Sequence, residues 1–395
     1  DALAGVVNLI TARAADGLQG GVSVRTGTHA SHEFHTELSH GGERHGVRLT
    51  LGRRGSDGYD LDPEQFGLTR PAFTDQTADL RTRLDVGERW GLELGARGSL
   101  QDQDGRFSIR SAGLGEQRYD ERGGRREWSV NPKVVGRLES GLRVSSSVYL
   151  SGYGTEVEHV SREDGSILYA DSFDQFYSKA EQQVTKLWNE RHLSVGGAGV
   201  VRERLGGDRY GSGSEAPLST LGFVYLQHEW IPGERLQVGV SGRFDAHSDY
   251  AARLSPKVSV MGKPWERLRL RASVGTGFKA PAFRQLHLSF SNSIAGYSVF
   301  GSTELRDGIR TLRGQGQIAQ TFLDVERLEQ IRAEHAVSYN LGLTLDSRDG
   351  RPGSWSLRLD GFHNEVRDMI EIQPVAQKTN GQFVYSYFNL AEIYT

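Results

Sequence analysis

The sequence predicts an all-β fold, a transmembrane antiparallel β-barrel, from three observations. Polar and apolar residues alternate along segment after segment, the period of a strand with two unlike faces. Most of these segments reach ten residues or more, whereas soluble strands average about 5–6 and spanning strands need about 9–11. Connections between them alternate short and long, and the short ones carry tryptophan: Trp90, Trp188, Trp230, Trp265 and Trp355 each lie in or beside a tight turn. Tight turns at one rim, large loops at the other and aromatic residues at the water boundary mark a barrel in a bilayer.

Bulk composition agrees with this. The 395 residues carry a formal net charge of -3, which argues against a broad basic nucleic-acid surface. Only 36% are hydrophobic and mean hydropathy is -0.50. Those values suit a barrel in which every second strand residue meets lipid and the loops are polar. No run of about 18 apolar residues exists, so no transmembrane helix is expected. Cysteine is absent, which removes disulfides, thiol catalysis and Cys-zinc sites. The 50 glycines disfavour a helical protein.

In chain order, Ala2–Thr11 is nearly continuously apolar and reads as a strand buried on both faces, the end of a domain lying inside the barrel. Residues 16–21 form a hinge. Sixteen strands follow, at about 19–28, 31–40, 45–54, 77–86, 89–101, 126–138, 141–152, 174–187, 191–204, 218–230, 234–245, 252–262, 266–278, 331–345, 354–364 and 382–390. The segment 266–277 is the clearest: Leu268, Leu270, Ala272 and Val274 on one face, Arg267, Arg269, Arg271 and Ser273 on the other. Long polar loops are expected at 54–76, 102–125, 152–173 and 279–329.

Six motifs in order resemble those of the TonB-dependent outer-membrane receptors. Gly5-Val6-Val7-Asn8-Leu9-Ile10-Thr11 looks like the last strand of that family's plug. Arg54-Gly55-Ser56-Asp57-Gly58-Tyr59 is similar to an early-loop segment. Gly275-Thr276-Gly277-Phe278-Lys279-Ala280-Pro281, after Leu254-Ser255-Pro256-Lys257, is the most specific match. Glu334-His335 with Tyr339-Asn340-Leu341-Gly342, Phe362 to Ile370, and Tyr387-Phe388-Asn389-Leu390-Ala391 complete the set. One departure stands out: the family's Asn-Pro-x-Leu box is here Gly301-Ser302-Thr303-Glu304-Leu305. The resemblance implies residues 1–17 as the end of a plug and 18–395 as part of a twenty-two-stranded barrel. It implies a Gram-negative outer-membrane location amid outer-membrane lipid, TonB as energising partner, and import of a ferric siderophore, with haem or cobalamin behind it. A passive sixteen-stranded porin is the alternative, and a surface adhesin or β-solenoid a third reading.

Chemistry-bearing patterns are few. Gly275-Thr276-Gly277-Phe278-Lys279-Ala280 formally fits a dinucleotide fingerprint, but Pro281 follows and no βαβ unit surrounds it, so it reads as a strand end. His29, His32, His35, His40 and His45 cluster near the first hairpins without metalloprotease spacing. Asp57, Asp60, Asp62 and Glu64 crowd one loop, as solvated residues or oxygen ligands for calcium. Arg267, Arg269 and Arg271 form a ladder that either pairs with carboxylates or draws an anionic ligand to the lumen. The 279–329 loop is too long for a mere connector. Its Phe283, His287, Phe290, Tyr297 and Phe300 suit a planar or greasy ligand, and the resemblance makes His287 the haem candidate. No nucleophile elbow or phosphate-binding loop appears, and no catalytic residue, cofactor or metal centre is assigned.

Overall fold

The computed structural model describes residues 14, 16–111, 115–210, 216–292, 295–347, 353–390 and 393–394. Its elements are β1 (Gly17–Thr26), β2 (His32–Gly41), β3 (His45–Ser56), β4 (Ala72–Val86), β5 (Trp90–Ser111), β6 (Gly115–Arg137), β7 (Leu142–Ser161), β8 (Ile167–Asn189), β9 (His192–Gly207), β10 (Leu218–Gly233), β11 (Leu236–His247), β12 (Arg253–Trp265) and β13 (Leu268–Lys279). Then come α1 (Phe283–His287), β14 (Ser289–Ser291), β15 (Ser298–Phe300), α2 (Leu305–Gly314), β16 (Ile318–Thr321), a 3-10 turn at Val325–Arg327, β17 (Glu334–Asp346), β18 (Ser356–Arg367), β19 (Ile370–Lys378), β20 (Phe383–Asn389) and β21 (Ile393–Tyr394). The expected N-terminal strand at Ala2–Thr11 lies outside the described residues.

One antiparallel sheet of 16 strands runs β1 through β13 in sequence order and continues β17, β18, β21. Its faces differ as the alternation requires. Val240 pairs with Val258, Val258 with Val274, and Val274 with Tyr339, and all four are exposed. That apolar stripe is the surface a barrel turns to lipid. On the opposite face Arg243, Lys257, Ser259, Arg271 and Ser273 follow one another across β11 to β13, and this is the lumen side. Short turns join β4 to β5, β6 to β7, β8 to β9, β10 to β11 and β12 to β13. The first is closed by Gly87 at φ 64, a backbone setting that side chains disfavour.

Two expectations are corrected. Residues 102–111, 115–125, 152–161 and 167–173 are strand, not loop. β5, β6, β7 and β8 run for 22, 23, 20 and 23 residues, with Gln101 to Ser111 paired rung for rung with Arg125 to Gly115. The outward face turns polar there, with Asp102, Asp104, Arg106 and Arg110 where lipid-facing residues would continue, so the apolar half of the alternation vanishes although the ladder continues. At about 3.3 Å per residue and a tilt near 45°, such strands climb about 50 Å, beyond a hydrocarbon layer of about 30 Å. The segment 382–390 is not a barrel strand either: β20 belongs to a second sheet.

That sheet has the order β14-β15-β20-β19-β16, with β15 and β20 parallel. It gathers the long insert between β13 and β17 with the connection after β18, forming a folded cap on the long-loop side. Leu305, Ile309 and Leu312 recur at helical spacing on α2 and pack with Phe300, Val375, Ala376 and Val384. Gly308 lies within α2 because a Cβ there would stand 2.6 Å from the Phe300 ring. The described residues of the 279–329 segment are thus structured and share a core with β19 and β20.

Candidate functional site

The route to the site begins at the end of β13. Lys279 Nζ lies 2.7 Å from the buried Glu334 carboxylate on β17, the last rung of that ladder. Pro281 has no N–H to extend it, as its position after the glycines predicts. The Ala282 amide donates to Gln285 Oε1 at 2.7 Å, which starts α1 at once. The Gly-x-Gly-Phe-Lys-Ala-Pro segment therefore stops a strand and lays a helical turn over the lumen.

Beneath that turn is a cavity of about 540 Å3 between Ala280–Leu286 and the lumen face of β8 to β11. Aromatic side chains supply much of its wall: Phe173, Tyr177, Tyr210, Phe223, Tyr250 and Phe283. Lys179, Arg243 and Arg284 bring positive charge, and Glu203 and Asp249 negative charge. The Arg243 guanidinium stands 4.1 Å from the Phe223 ring centre and Lys179 Nζ 5.5 Å from it, so one ring faces two cations. Tyr250 stacks on His247 at 3.9 Å. Burial, with Asp245 and Asp249 close by, pushes the Tyr250 phenol up to about 12, so it stays a neutral donor at ordinary pH. Glu203 accepts a hydrogen bond from Gln175.

The residues singled out from sequence fall in four places. His287 sits on α1 beside the cavity, its ring 5.7 Å from that of Phe283 and its Nδ1 3.2 Å from Thr303 Oγ1. Burial lowers its basicity, against the pull of Asp249 and Glu304. Phe290 and Tyr297 meet edge-on at 6.0 Å, with the Arg209 guanidinium 4.8 Å from the Phe290 ring. Phe300 is 4% exposed in the cap core; it holds the cap together and offers no face to a ligand. The arginine ladder lies elsewhere. Arg269 pairs with Asp346 at 2.6 Å and Arg271 approaches Asp360 at 3.4 Å. The Arg267 carbonyl accepts from the Asp346 amide at 2.9 Å. All three lie toward the short-turn rim, away from α1, and Arg269 and Arg271 are matched by carboxylates.

Arg243, Phe223, Tyr250, Lys179 and Phe173 were missed because they come from β11, β10, the β11–β12 connection and β8, far apart in sequence. One signal was available: Phe173, Tyr177 and Phe223 are aromatic residues in the polar register of their strands. Among the described residues no group of three or more His, Asp or Glu side chains gathers as a metal site, so the calcium reading of Asp57, Asp60, Asp62 and Glu64 has no geometric support. Instead Asp60 and Asp62 accept from the Asp62 amide and Gln65.

Known proteins share this architecture. The chain covers 99% of its own length and 64% of that of the siderophore receptor PirA from Pseudomonas aeruginosa, at a TM-score of 0.64 and 17% identity. It covers 97% of itself and 60% of the hemophore receptor HasR of Serratia marcescens, at 0.65 and 13%. In sequence, 146 residues are 21% identical to the iron-regulated outer membrane virulence protein of Vibrio cholerae, over 37% of this chain and 18% of that one. The chain thus spans less than two thirds of the length of these relatives. The family profile described as TonB dependent receptor-like, beta-barrel matches residues 20–395, and the chain belongs to that family.

Proposed function

We propose that this chain forms most of the barrel of a Gram-negative outer-membrane receptor that imports a scarce ligand, a ferric siderophore before haem or cobalamin. Residues 1–17 are the end of the plug and residues 18–395 the barrel in this reading. TonB supplies the energy by rearranging the plug. The observation that carries the ligand class is the cavity under α1, where Lys179, Arg243 and Arg284 stand among six aromatic rings. Cations over aromatic faces suit an anionic, ring-bearing ligand. The family match disfavours the porin, as does the cap above the lumen. The receptors PirA and HasR, named for siderophore and hemophore, support the ligand order only as relatives.

The test is growth of a receptor-deficient strain carrying the complete gene on ferric siderophores, haem or cobalamin as sole source. Growth on a siderophore that stops when TonB is deleted or the proton gradient is collapsed is expected. Growth independent of both would return the porin reading. His287→Ala separates the ligands: weakened haem binding at the cell surface would move haem to first place, and unchanged binding removes His287 as a haem ligand.

A further inference from the structure

Two tryptophans and two histidines meet on the outward face of β8 to β10 at the short-turn rim. His192 Nδ1 lies 3.1 Å from His228 Nε2. Ser194 Oγ is 2.9 Å from His228 Nδ1, and Trp188 Nε1 donates to that same Ser194 Oγ at 2.9 Å. Trp230 stacks on His192 with ring centres 6.3 Å apart. His192 and His228 are diagonal neighbours, since His192 pairs with Trp230 and His228 with Ser194. Both rings are half-buried.

We propose that His192 and His228 form a two-nitrogen site for a divalent transition-metal ion at this rim, with Ser194 orienting His228. Three features support it. With metal–nitrogen bonds of about 2.05 Å, nitrogens at the observed separation subtend about 98° at a shared ion. That falls between the square and tetrahedral values, so the separation already suits a shared ion and each ring has only to turn its lone pair toward it. Second, a ligating imidazole needs an acceptor for its other N–H. Ser194 Oγ already stands at His228 Nδ1, itself held by Trp188. With the ion on Nε2 the His228 proton sits on Nδ1, where Ser194 accepts it, so no N–H faces the metal. Third, Trp188 and Trp230 hold the cluster at the headgroup level, where water or lipid phosphate oxygens fill the remaining positions. Imidazole pairs favour Cu2+ over Ni2+ and Zn2+. A second pair, His45 Nε2 and His40 Nδ1 at 3.1 Å, must be removed to read the first.

The experiment uses the full-length receptor in detergent with His40→Ala and His45→Ala already installed. Cu2+ binding is measured by titration calorimetry, and the ligand set by electron paramagnetic resonance. One ion with a two-nitrogen pattern is expected. His192→Ala, and His228→Gln as the milder change, should each weaken binding at least tenfold. Ser194→Ala should weaken it about tenfold. Heat-modifiable gel mobility confirms that each variant is folded. Unaltered affinity and spectrum in the folded His192→Ala/His228→Gln double variant overturn the site, and unaltered affinity in Ser194→Ala alone overturns the orienting role.

Discussion

Arg243 reaches Asp245, two residues along the same strand, with a nitrogen 2.7 Å from a carboxylate that has no solvent exposure. Both Asp245 oxygens also accept from Arg243 Nε, at 2.9 Å each. A fork-to-fork pair of this kind fixes the guanidinium plane, and that plane is the one presented to the Phe223 ring. Asp245 therefore aims the cation of the cavity.

Removing only the arginine leaves a buried charge without its partner. Arg243→Ala should lower barrel stability by about 3 kcal/mol, read as the urea midpoint of the protein refolded in lipid vesicles. The paired change Arg243→Met/Asp245→Leu should recover most of that loss while abolishing ligand binding. Equal destabilisation by the single and double changes would mean that the pair contributes through packing alone.

The lipid face is tested on β13. Val274 sits mid-strand and outward, six residues from Leu268, which pairs with Trp265 at the rim. Val274→Arg should cost about 2–4 kcal/mol of folding in vesicles, and Leu268→Arg about 1 or less, since the penalty falls toward the interface. Ser273→Arg, facing the lumen, should be tolerated. Equal tolerance of Val274→Arg and Ser273→Arg would reverse the assignment of faces.

The cap has its own core, so it should open without the barrel. Ile309→Ala removes a side chain only 3% exposed at a cost of about 2–5 kcal/mol. Limited proteolysis should then cut within 301–333 while heat-modifiable mobility is unchanged. Loss of both together would show that cap and barrel unfold as one unit.

Lys378 in the cap is 7% exposed and donates to Ser298 Oγ at 3.3 Å. Burial lowers its pKa below the usual 10.5. The unfolded chain then binds the proton more readily than the folded cap does. Cap stability should rise as pH climbs through the folded pKa, levelling at the unfolded value. Lys378→Met should be the more stable at neutral pH, with the gap to wild type closing toward pH 10.5. A gap that does not change with pH would show that the lysine charge is not what the burial opposes.

The barrel was readable because lipid and lumen impose a strict two-residue period: Leu268 to Val274 and Arg267 to Ser273 sort without ambiguity. Above the bilayer that constraint ends. Gln101 to Ser111 and Gly115 to Arg125 pair fully, yet their outward face meets water rather than lipid and their sequence reads as loop. β20 has the aromatic and β-branched composition of a strand, and only its partners, β19 and β15, place it in the cap. The site was less legible still, because Phe173, Phe223 and Arg243 become neighbours through strand register, with Tyr250 brought in by the connection after β11. Phe300 misled for the opposite reason: an aromatic residue in a long segment looks available until that segment proves to have an interior.

The insert that builds most of the cap departs at Lys279 and returns at Glu334, directly opposite each other and joined by an ion pair. Its two attachment points therefore stand one rung apart, whatever its length or sequence. Such an arrangement behaves as a cassette: a differently shaped insert can be exchanged at that rung without disturbing the register of β13 against β17. New ligand preferences can then evolve on an unchanged membrane scaffold.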